Sequence, residues 1–201
     1  MGPRMAAQGI LCIFLSGALC AQNSSQRAKS SPAHAPDARS ISGALHEDSY
    51  SNPYFGFSCH LPYGWVDRTR EVGEGDNQPE RAQVLLAFFE HPPEAVTKNV
   101  NSAVVITAEN AAGYKGLKTA AEYFPSVTDA AAARGFKAVQ DPYEFQVGAK
   151  RLVRGDFSAQ RGQQTIFQST LVSLRRGYVI SFTLIGGSEE EVNELIERLR
   201  L

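Results

Sequence analysis

The residue types that most often carry catalysis or bind metals are scarce in this 201-residue sequence. After residue 49 it contains two histidines, His60 and His91, and a single cysteine, Cys59. A histidine beside a nucleophile could act as a general base, and two histidines with a carboxylate such as Glu90 or Glu94 could bind a metal ion. Nothing in the spacing of these residues supports a metal site, whereas a Ser–His–acid triad stays open because its members need not be close in sequence.

Recognisable catalytic motifs are also missing from the sequence. It contains no Gly-x-Ser-x-Gly, His-Glu-x-x-His, Cys-x-x-Cys or Gly-rich phosphate-binding motif. We therefore predict a protein that is not an enzyme, with no catalytic residue, no metal site and no cofactor. A hydrolase or a metal-dependent enzyme that uses His60 or His91 is the least favoured alternative.

Cys59 has the position of an interior residue rather than that of a reactive thiol. It alternates with Phe55, Phe57 and Leu61 along a predicted strand, so all four side chains are expected on the apolar face. His60 should point to the opposite face, because neighbouring residues of a strand do so. Cys59 is therefore predicted to fill the core.

The charge balance of the chain argues against two classes of partner. Twenty basic residues face 21 acidic ones, while 43% of the residues are hydrophobic and 20% are charged. A protein that binds nucleic acid or an anionic membrane mainly by charge has a basic excess. We expect a globular protein whose partners are not nucleic acids.

Residues 1–21 have the pattern of a cleaved signal peptide. Arg4 supplies the positive charge, and residues 9–19 form an apolar stretch of eleven residues, shorter than the roughly 20 that a membrane-spanning helix needs. Cleavage is expected after Cys20 or Ala21, giving a periplasmic or secreted protein without a transmembrane span. A lipid anchor on Cys20 is disfavoured, because Leu19 stands where lipoprotein signals carry a small residue.

Residues 22–49 are predicted to form a disordered linker. Ser, Ala, Pro, Gln and Arg dominate this segment, and large apolar residues are nearly absent from it. Such a composition buries too little apolar surface to offset the entropy lost on ordering. The globular domain is therefore expected to span residues 50–201.

The end of the chain carries the clearest structural pattern. Residues 178–185 alternate between two faces as a strand does, with Val179, Ser181, Thr183 and Ile185 on one of them. Ser188 and Glu191 then match a capping box, and an apolar stripe at helical spacing follows over residues 192–199. This pattern predicts a strand that leads into an amphipathic helix.

The middle of the chain predicts the remaining layers. Residues 82–89 and 103–108 are apolar on both faces, as in central strands that are covered on both sides. A helix is predicted over residues 118–135, with a kink or a break at Pro125, and the segment from Trp65 to about Val72 is predicted to be extended. The chain after Phe136 reads as antiparallel hairpins. The fold class is therefore α+β, with about six or seven antiparallel strands and a helix on each face of the sheet.

This order of elements resembles the PsbP/Mog1-like family. The resemblance is carried by Phe55-Gly56-Phe57 ahead of a Pro62-x-Gly64-Trp65 turn, by the long middle helix, and by the GYVISF strand at residues 177–182. It covers residues 50–201 and implies an α-β-α sandwich with a central antiparallel sheet. It assigns no functional residue, because members of one fold family differ in function.

We expect an exported, non-catalytic binding or accessory protein that works with protein partners at the cell envelope. A candidate partner surface is the basic group of the hairpin region: Lys150, Arg151, Arg154, Arg161, Arg175 and Arg176. The alternative is a small-ligand carrier with a pocket between sheet and helix, lined by Phe88, Phe89, Tyr123 and Phe124. Both sets also have a simpler explanation, since charges protect strand edges and aromatic residues fill cores.

Overall fold

The computed structural model describes residues 41–74, 82–95 and 99–201. The predicted signal peptide (residues 1–21) and residues 22–40 of the predicted linker lie outside these ranges. The strands are β1 (Ala44–His46), β2 (Ser49–Asn52), β3 (Phe57–His60), β4 (Val66–Asp67), β5 (Ala82–Phe89), β6 (Ala103–Asn110), β7 (Lys137–Ala138), β8 (Tyr143–Val147), β9 (Lys150–Arg161), β10 (Gln164–Arg175), β11 (Tyr178–Gly186) and β12 (Leu199–Arg200). The helices are α1 (Thr69–Glu74), α2 (Ala120–Ala133) and α3 (Glu189–Glu197). Across these ranges, no helix combines the length and the apolar content needed to cross a membrane.

The described strands form two sheets, and their pairing is antiparallel throughout. The larger sheet has eight strands in the order β4-β5-β6-β11-β10-β9, with β7 and β8 both paired to β9. The smaller has four strands in the order β1-β2-β3-β12. The predicted α+β class is correct, but the single sheet of six or seven strands is not. The first strands pair with the end of the chain, Cys59 opposite Leu199, and so form a sheet of their own.

The strand and helix predicted at the chain end are confirmed as β11 and α3. The Ser188 hydroxyl accepts a hydrogen bond from the Glu191 N–H at 3.2 Å and caps the helix. The Glu191 carboxylate accepts a bond from the Gly187 N–H at 2.8 Å. The helix ends earlier than its apolar stripe, because buried Leu199 belongs to β12.

Successive residues of β10 and β11 join different hydrophobic clusters. Leu171 and Ile180 pack with Leu195 of α3 and with the smaller sheet. Val172 and Val179 pack instead with residues of α2. Because neighbouring residues of a strand point to opposite faces, β10 and β11 contribute side chains to both clusters.

The described structure includes residues 41–49, which precede the predicted domain boundary at residue 50. Ile41 is buried, and β1 lies inside the predicted linker. Asn52 explains this arrangement, since its fully buried amide donates to the Ile41 carbonyl at 2.9 Å. The Tyr50 hydroxyl also accepts a hydrogen bond from the Gly43 N–H at 3.0 Å. Two polar side chains of β2 therefore hold the preceding segment against the domain.

Two local predictions are corrected by the structure. The segment predicted to be extended up to Val72 turns into α1, because the Asp67 carboxylate accepts a hydrogen bond from the Thr69 N–H at 2.9 Å and starts a turn. The predicted break at Pro125 does not divide the middle helix, which is continuous from Ala120 to Ala133. Pro125 lies on the exposed side of α2, away from the sheet.

Candidate functional site

The six basic residues predicted as a partner surface lie in three separate places. β9 is twelve residues long, so Lys150 and Arg161 at its two ends are roughly 36 Å apart at about 3.3 Å per residue. Arg161 donates through Nη2 to the Arg134 carbonyl at the end of α2. Arg154 lies in the middle of the strand. The remaining four residues lie at the β8–β9 and β10–β11 turns.

Arg154 is an interior residue, with 8% of its surface exposed. Its guanidinium donates to Asp156 Oδ1 at 2.8 Å, to Ser169 Oγ at 3.0 Å and to Asn193 Oδ1 of α3 at 2.9 Å. It also lies 4.9 Å from the centre of the Phe145 ring. Arg154 therefore connects α3 to the larger sheet and presents no free charge to a partner.

We call the remaining four residues, Lys150, Arg151, Arg175 and Arg176, the basic end of the sheet. Val153 of β9 pairs with Val172 of β10, so β9 begins and β10 ends at this side of the sheet. Arg175 donates to the Phe55 carbonyl at 2.8 Å. Arg176 lies over the Tyr54 ring at 5.0 Å.

Within the part of the chain that the structure describes, no salt bridge neutralises the charges at the basic end. Over the described ranges, the salt bridges involve Arg68, Arg70, His91 and Arg154, and none involves a residue of the basic end. Lys150, Arg151 and Arg176 are exposed. The arrangement can therefore attract an acidic surface, while Arg175 and Arg176 are held in place by the Tyr54–Phe55 segment.

The four aromatic residues predicted to line a pocket are not brought together. Phe88 packs in the cluster that contains α3, and Phe89 packs with Val72 of α1. Tyr123 and Phe124 pack with α2 and the sheet in a third cluster. Phe124 is a core residue, because its ring packs against Gly155 and fills the space that a side chain at that position would need.

A groove does lie between α2 and the larger sheet, and its surface is mainly apolar, although many of the residues that line it carry polar groups. It has a volume of about 70 Å³. Its lining comes from α2 and from adjacent positions on β6, β10 and β11: Val105, Thr107, Glu109, Tyr123, Ser126, Val127, Ala130, Arg134, Gln168, Thr170, Ser181, Thr183 and Ile185. Of the four predicted aromatic residues, Tyr123 is the one that lines it.

Hydroxyl groups form the floor of this groove. Thr170 and Thr183 face each other across β10 and β11 with their Oγ1 atoms 3.3 Å apart. Ser181 stands opposite Thr107 in the pairing of β11 with β6. The sequence contained a signal for this floor, because Ser181 and Thr183 share a face of an otherwise apolar strand. The partners from other strands could not be assigned without the sheet register.

One end of the groove holds a buried carboxylate. Glu109 accepts hydrogen bonds from the Tyr123 hydroxyl at 2.6 Å and the Tyr114 hydroxyl at 2.5 Å. Burial and the neighbouring Glu109 carboxylate raise the pKa of Tyr123 far above its ordinary value, so this phenol remains a hydrogen-bond donor. The opposite end of α2 brings Arg134 to the groove.

The residues first considered for catalysis lie apart from this groove. Cys59 is fully buried in the core, as predicted, and burial raises the pKa of its thiol to about 12. His60 is exposed, and His91 lies beside Glu90 with an Nε2–Oε1 distance of 3.7 Å. Across the described ranges, no three His, Cys, Asp or Glu side chains are grouped closely enough to hold a metal ion.

Comparison with solved structures identifies the fold. The solution structure of the cyanobacterial PsbP protein (CyanoP) of Synechocystis sp. PCC 6803 is similar over 87% of this chain and 98% of its own, with a TM-score of 0.50 and 14% identity. The Ran-binding protein Mog1p of Saccharomyces cerevisiae covers 72% of this chain and 89% of its own (TM-score 0.43, 10% identity). LpqN of Mycobacterium tuberculosis, involved in cell envelope biogenesis, covers 71% and 77% (TM-score 0.38, 15% identity).

The comparisons by sequence give no relative. No protein-family profile and no curated protein sequence matches the chain. At these low identities the similarity to CyanoP concerns the fold and leaves function open. The chain therefore has the PsbP/Mog1-like fold that its sequence resemblance implied.

Proposed function

We propose that this protein is an exported, non-catalytic accessory protein of the cell envelope, and that it binds an acidic protein partner through the basic end of the sheet. The observation that carries the proposal is the clustering of Lys150, Arg151, Arg175 and Arg176 without a salt bridge among the described residues. Unpaired charges of one sign raise the rate of encounter with an oppositely charged surface.

The geometry of the basic end supports partner binding better than edge protection. Charges that only protect a sheet edge need no fixed orientation. Arg175 and Arg176 are oriented by the Phe55 carbonyl and the Tyr54 ring. Side chains that are already held lose less conformational entropy when a partner binds.

Export rests on the signal-peptide pattern of residues 1–21. We further infer that the mature protein is either periplasmic or secreted. We also infer that α2 and α3 cover opposite faces of the larger sheet, in an α-β-α sandwich.

A second candidate function is a small-ligand carrier, which the groove between α2 and the sheet favours.

The test is affinity purification of the full-length tagged protein from its native host. A Lys150→Glu/Arg151→Glu variant reverses two exposed charges of the basic end. An Arg70→Glu/Lys137→Glu variant makes the same charge change at exposed positions on α1 and β7. The proposal predicts that a partner is recovered with the wild type and with the second variant and is lost with the first. Recovery by both variants alike would exclude the basic end as the binding surface.

A further inference from the structure

We propose that the groove between α2 and the larger sheet binds a small carboxylate that carries a hydroxyl or amino group, with Gln168 and Arg134 as its two recognition residues. This inference does not depend on partner binding at the basic end, because the two regions share no residue. It is carried by two polar groups that line the groove: a buried amide oxygen that has no hydrogen-bond partner among the described residues, and a guanidinium that has no salt bridge among them.

Gln168 provides the first of these groups. Its side chain is 3% exposed, and its Nε2 donates to Thr170 Oγ1 at 3.2 Å. Its Oε1 is the buried side-chain atom that has no hydrogen-bond partner among the described residues. Buried polar atoms in folded proteins are nearly always bonded, so this carbonyl oxygen calls for a donor that the described residues do not supply.

Arg134 provides the second group. It is half-buried at the end of α2, and its Nε donates to the Ala130 carbonyl at 3.1 Å. It forms no salt bridge within the described ranges. Burial lowers the pKa of this guanidinium, the direction expected when the charged form is partly desolvated. An anion at this position would therefore be stabilised, and the planar guanidinium suits a carboxylate.

The remaining lining limits the size and the orientation of the ligand. A volume of about 70 Å³ accommodates roughly five water-sized groups at 10–15 Å³ each, which is the size of a two- or three-carbon acid. Thr170, Thr183 and Ser181 provide hydroxyls that both donate and accept. The Glu109 carboxylate repels an anion at its own end of the groove, so the ligand carboxylate is directed to the Arg134 end.

The alternative is that ordered water alone satisfies Gln168. If only water fills the groove, an added acid should show no saturable binding there. If an acid of the proposed class binds, its affinity should depend on both Gln168 and Arg134. The Arg134 guanidinium would donate hydrogen bonds to the ligand carboxylate, and Gln168 Oε1 would accept one from the ligand hydroxyl or amino group.

The experiment uses the full chain and follows backbone amides by two-dimensional NMR during titration with glycolate, glycine or acetate. We expect saturable shifts at residues 168–170 and 181–183 with glycolate or glycine. Acetate lacks the donor, so it should bind about tenfold more weakly than the better of the two. The Gln168→Met variant should abolish this difference between acids, and Arg134→Gln should weaken all of them.

Two controls keep the result interpretable. Gln163→Met makes the same chemical change at an exposed position of the β9–β10 turn and should leave every titration unchanged. Thermal unfolding identifies any variant that fails to fold, and if Gln168→Met does so, the comparison of glycolate with acetate on the wild type and the effect of Arg134→Gln decide the proposal. Saturable binding is required for the proposal to stand. Two results would contradict the proposal and indicate that the groove holds water only. One is the absence of saturable shifts, and the other is that wild type and Gln168→Met bind each acid with the same affinity.

Discussion

Arg154 and Asp156 lie two residues apart on β9 and form an ion pair, with the guanidinium Nε 2.8 Å from the carboxylate Oδ1. The same carboxylate accepts a hydrogen bond from the Tyr143 hydroxyl at 2.9 Å and another from the Ser169 hydroxyl. Arg154 extends the network to Asn193 of α3. The pair thus joins β8, β9, β10 and α3. Its removal therefore measures how much this network contributes to the stability of the fold.

Replacement of Arg154 by methionine should destabilise the protein. The substitution retains much of the side-chain volume but leaves Asp156 without its cation, and breaking a mostly buried pair in this way costs about 3 kcal/mol. Chemical denaturation measures the change in the free energy of unfolding. Arg151→Met, at the exposed neighbouring position, should change it by less than about 0.5 kcal/mol. Equal effects of the two substitutions would show that the network contributes little.

Asp156 should make stability depend on pH in the acidic range. Burial opposes its ionisation, but the hydrogen bonds from Ser169, Arg154 and Tyr143 outweigh burial, so the folded-state pKa is lower than the ordinary value. The ionised carboxylate then stabilises the fold above the unfolded-state pKa of about 3.9. That stability is lost progressively as the pH falls from this value through the lower folded-state pKa.

The measurement is the free energy of unfolding across the acidic range for wild type and Asp156→Asn. The variant should be less stable near neutral pH, and the difference between the two proteins should shrink as the pH falls. Asp129→Asn, at an exposed position of α2, serves as the control. A difference that stays constant with pH would contradict the assigned protonation behaviour of Asp156.

Gly155 should not tolerate even one additional carbon. A Cβ at this position would collide with the Phe124 ring, which packs directly against β9. Gly155→Ala is therefore expected to cost about 1–3 kcal/mol through overpacking. Gly113→Ala meets no atom within 4 Å and should be close to neutral.

A double variant tests whether Phe124 is the cause of this cost. Combining Gly155→Ala with Phe124→Leu shortens the ring side chain that meets the new carbon. The double variant should be less destabilised than the sum of the two single changes, because contacting residues are not additive. Simple additivity in chemical denaturation would show that the strain lies elsewhere.

The mature protein recovered from its host should begin at Ala21 or Gln22 and should carry no lipid. This expectation follows from the apolar stretch at residues 9–19 and from Leu19 at the position where a lipoprotein signal has a small residue. Intact mass spectrometry of the soluble exported fraction checks it directly. A diacylated Cys20 in the membrane fraction would instead make the following residues a membrane tether.

Local patterns in the sequence predicted local structure well. β11 followed by α3 was recognisable from alternation, a capping pair and an apolar stripe, since all of these signals lie within 25 residues. The position of Cys59 in the core followed from simple alternation with Phe55 and Phe57. These features depend on neighbouring residues, so the sequence alone contains the information.

Features that depend on long-range pairing were missed. The smaller sheet requires Leu199 to meet Cys59 across 140 positions, and nothing local to either residue indicates the other. The groove combines hydroxyls from three strands with Arg134 at the end of α2. Gln168 stands out only once the structure shows that its Oε1 has no hydrogen-bond partner among the described residues. The basic group divided for the same reason, because Arg154 turns inward to Ser169 of β10 and Asn193 of α3.

The most direct test of the proposed binding function is the amount of partner that co-purifies from the native host with each charge-reversal variant, normalised to the wild type. We predict a reduction of at least about tenfold for Lys150→Glu/Arg151→Glu, the size expected when two attractive charge contacts become repulsive. The Arg70→Glu/Lys137→Glu control should recover as much partner as the wild type. Equal recovery with the two variants, or no partner above background with the wild type, would contradict the account.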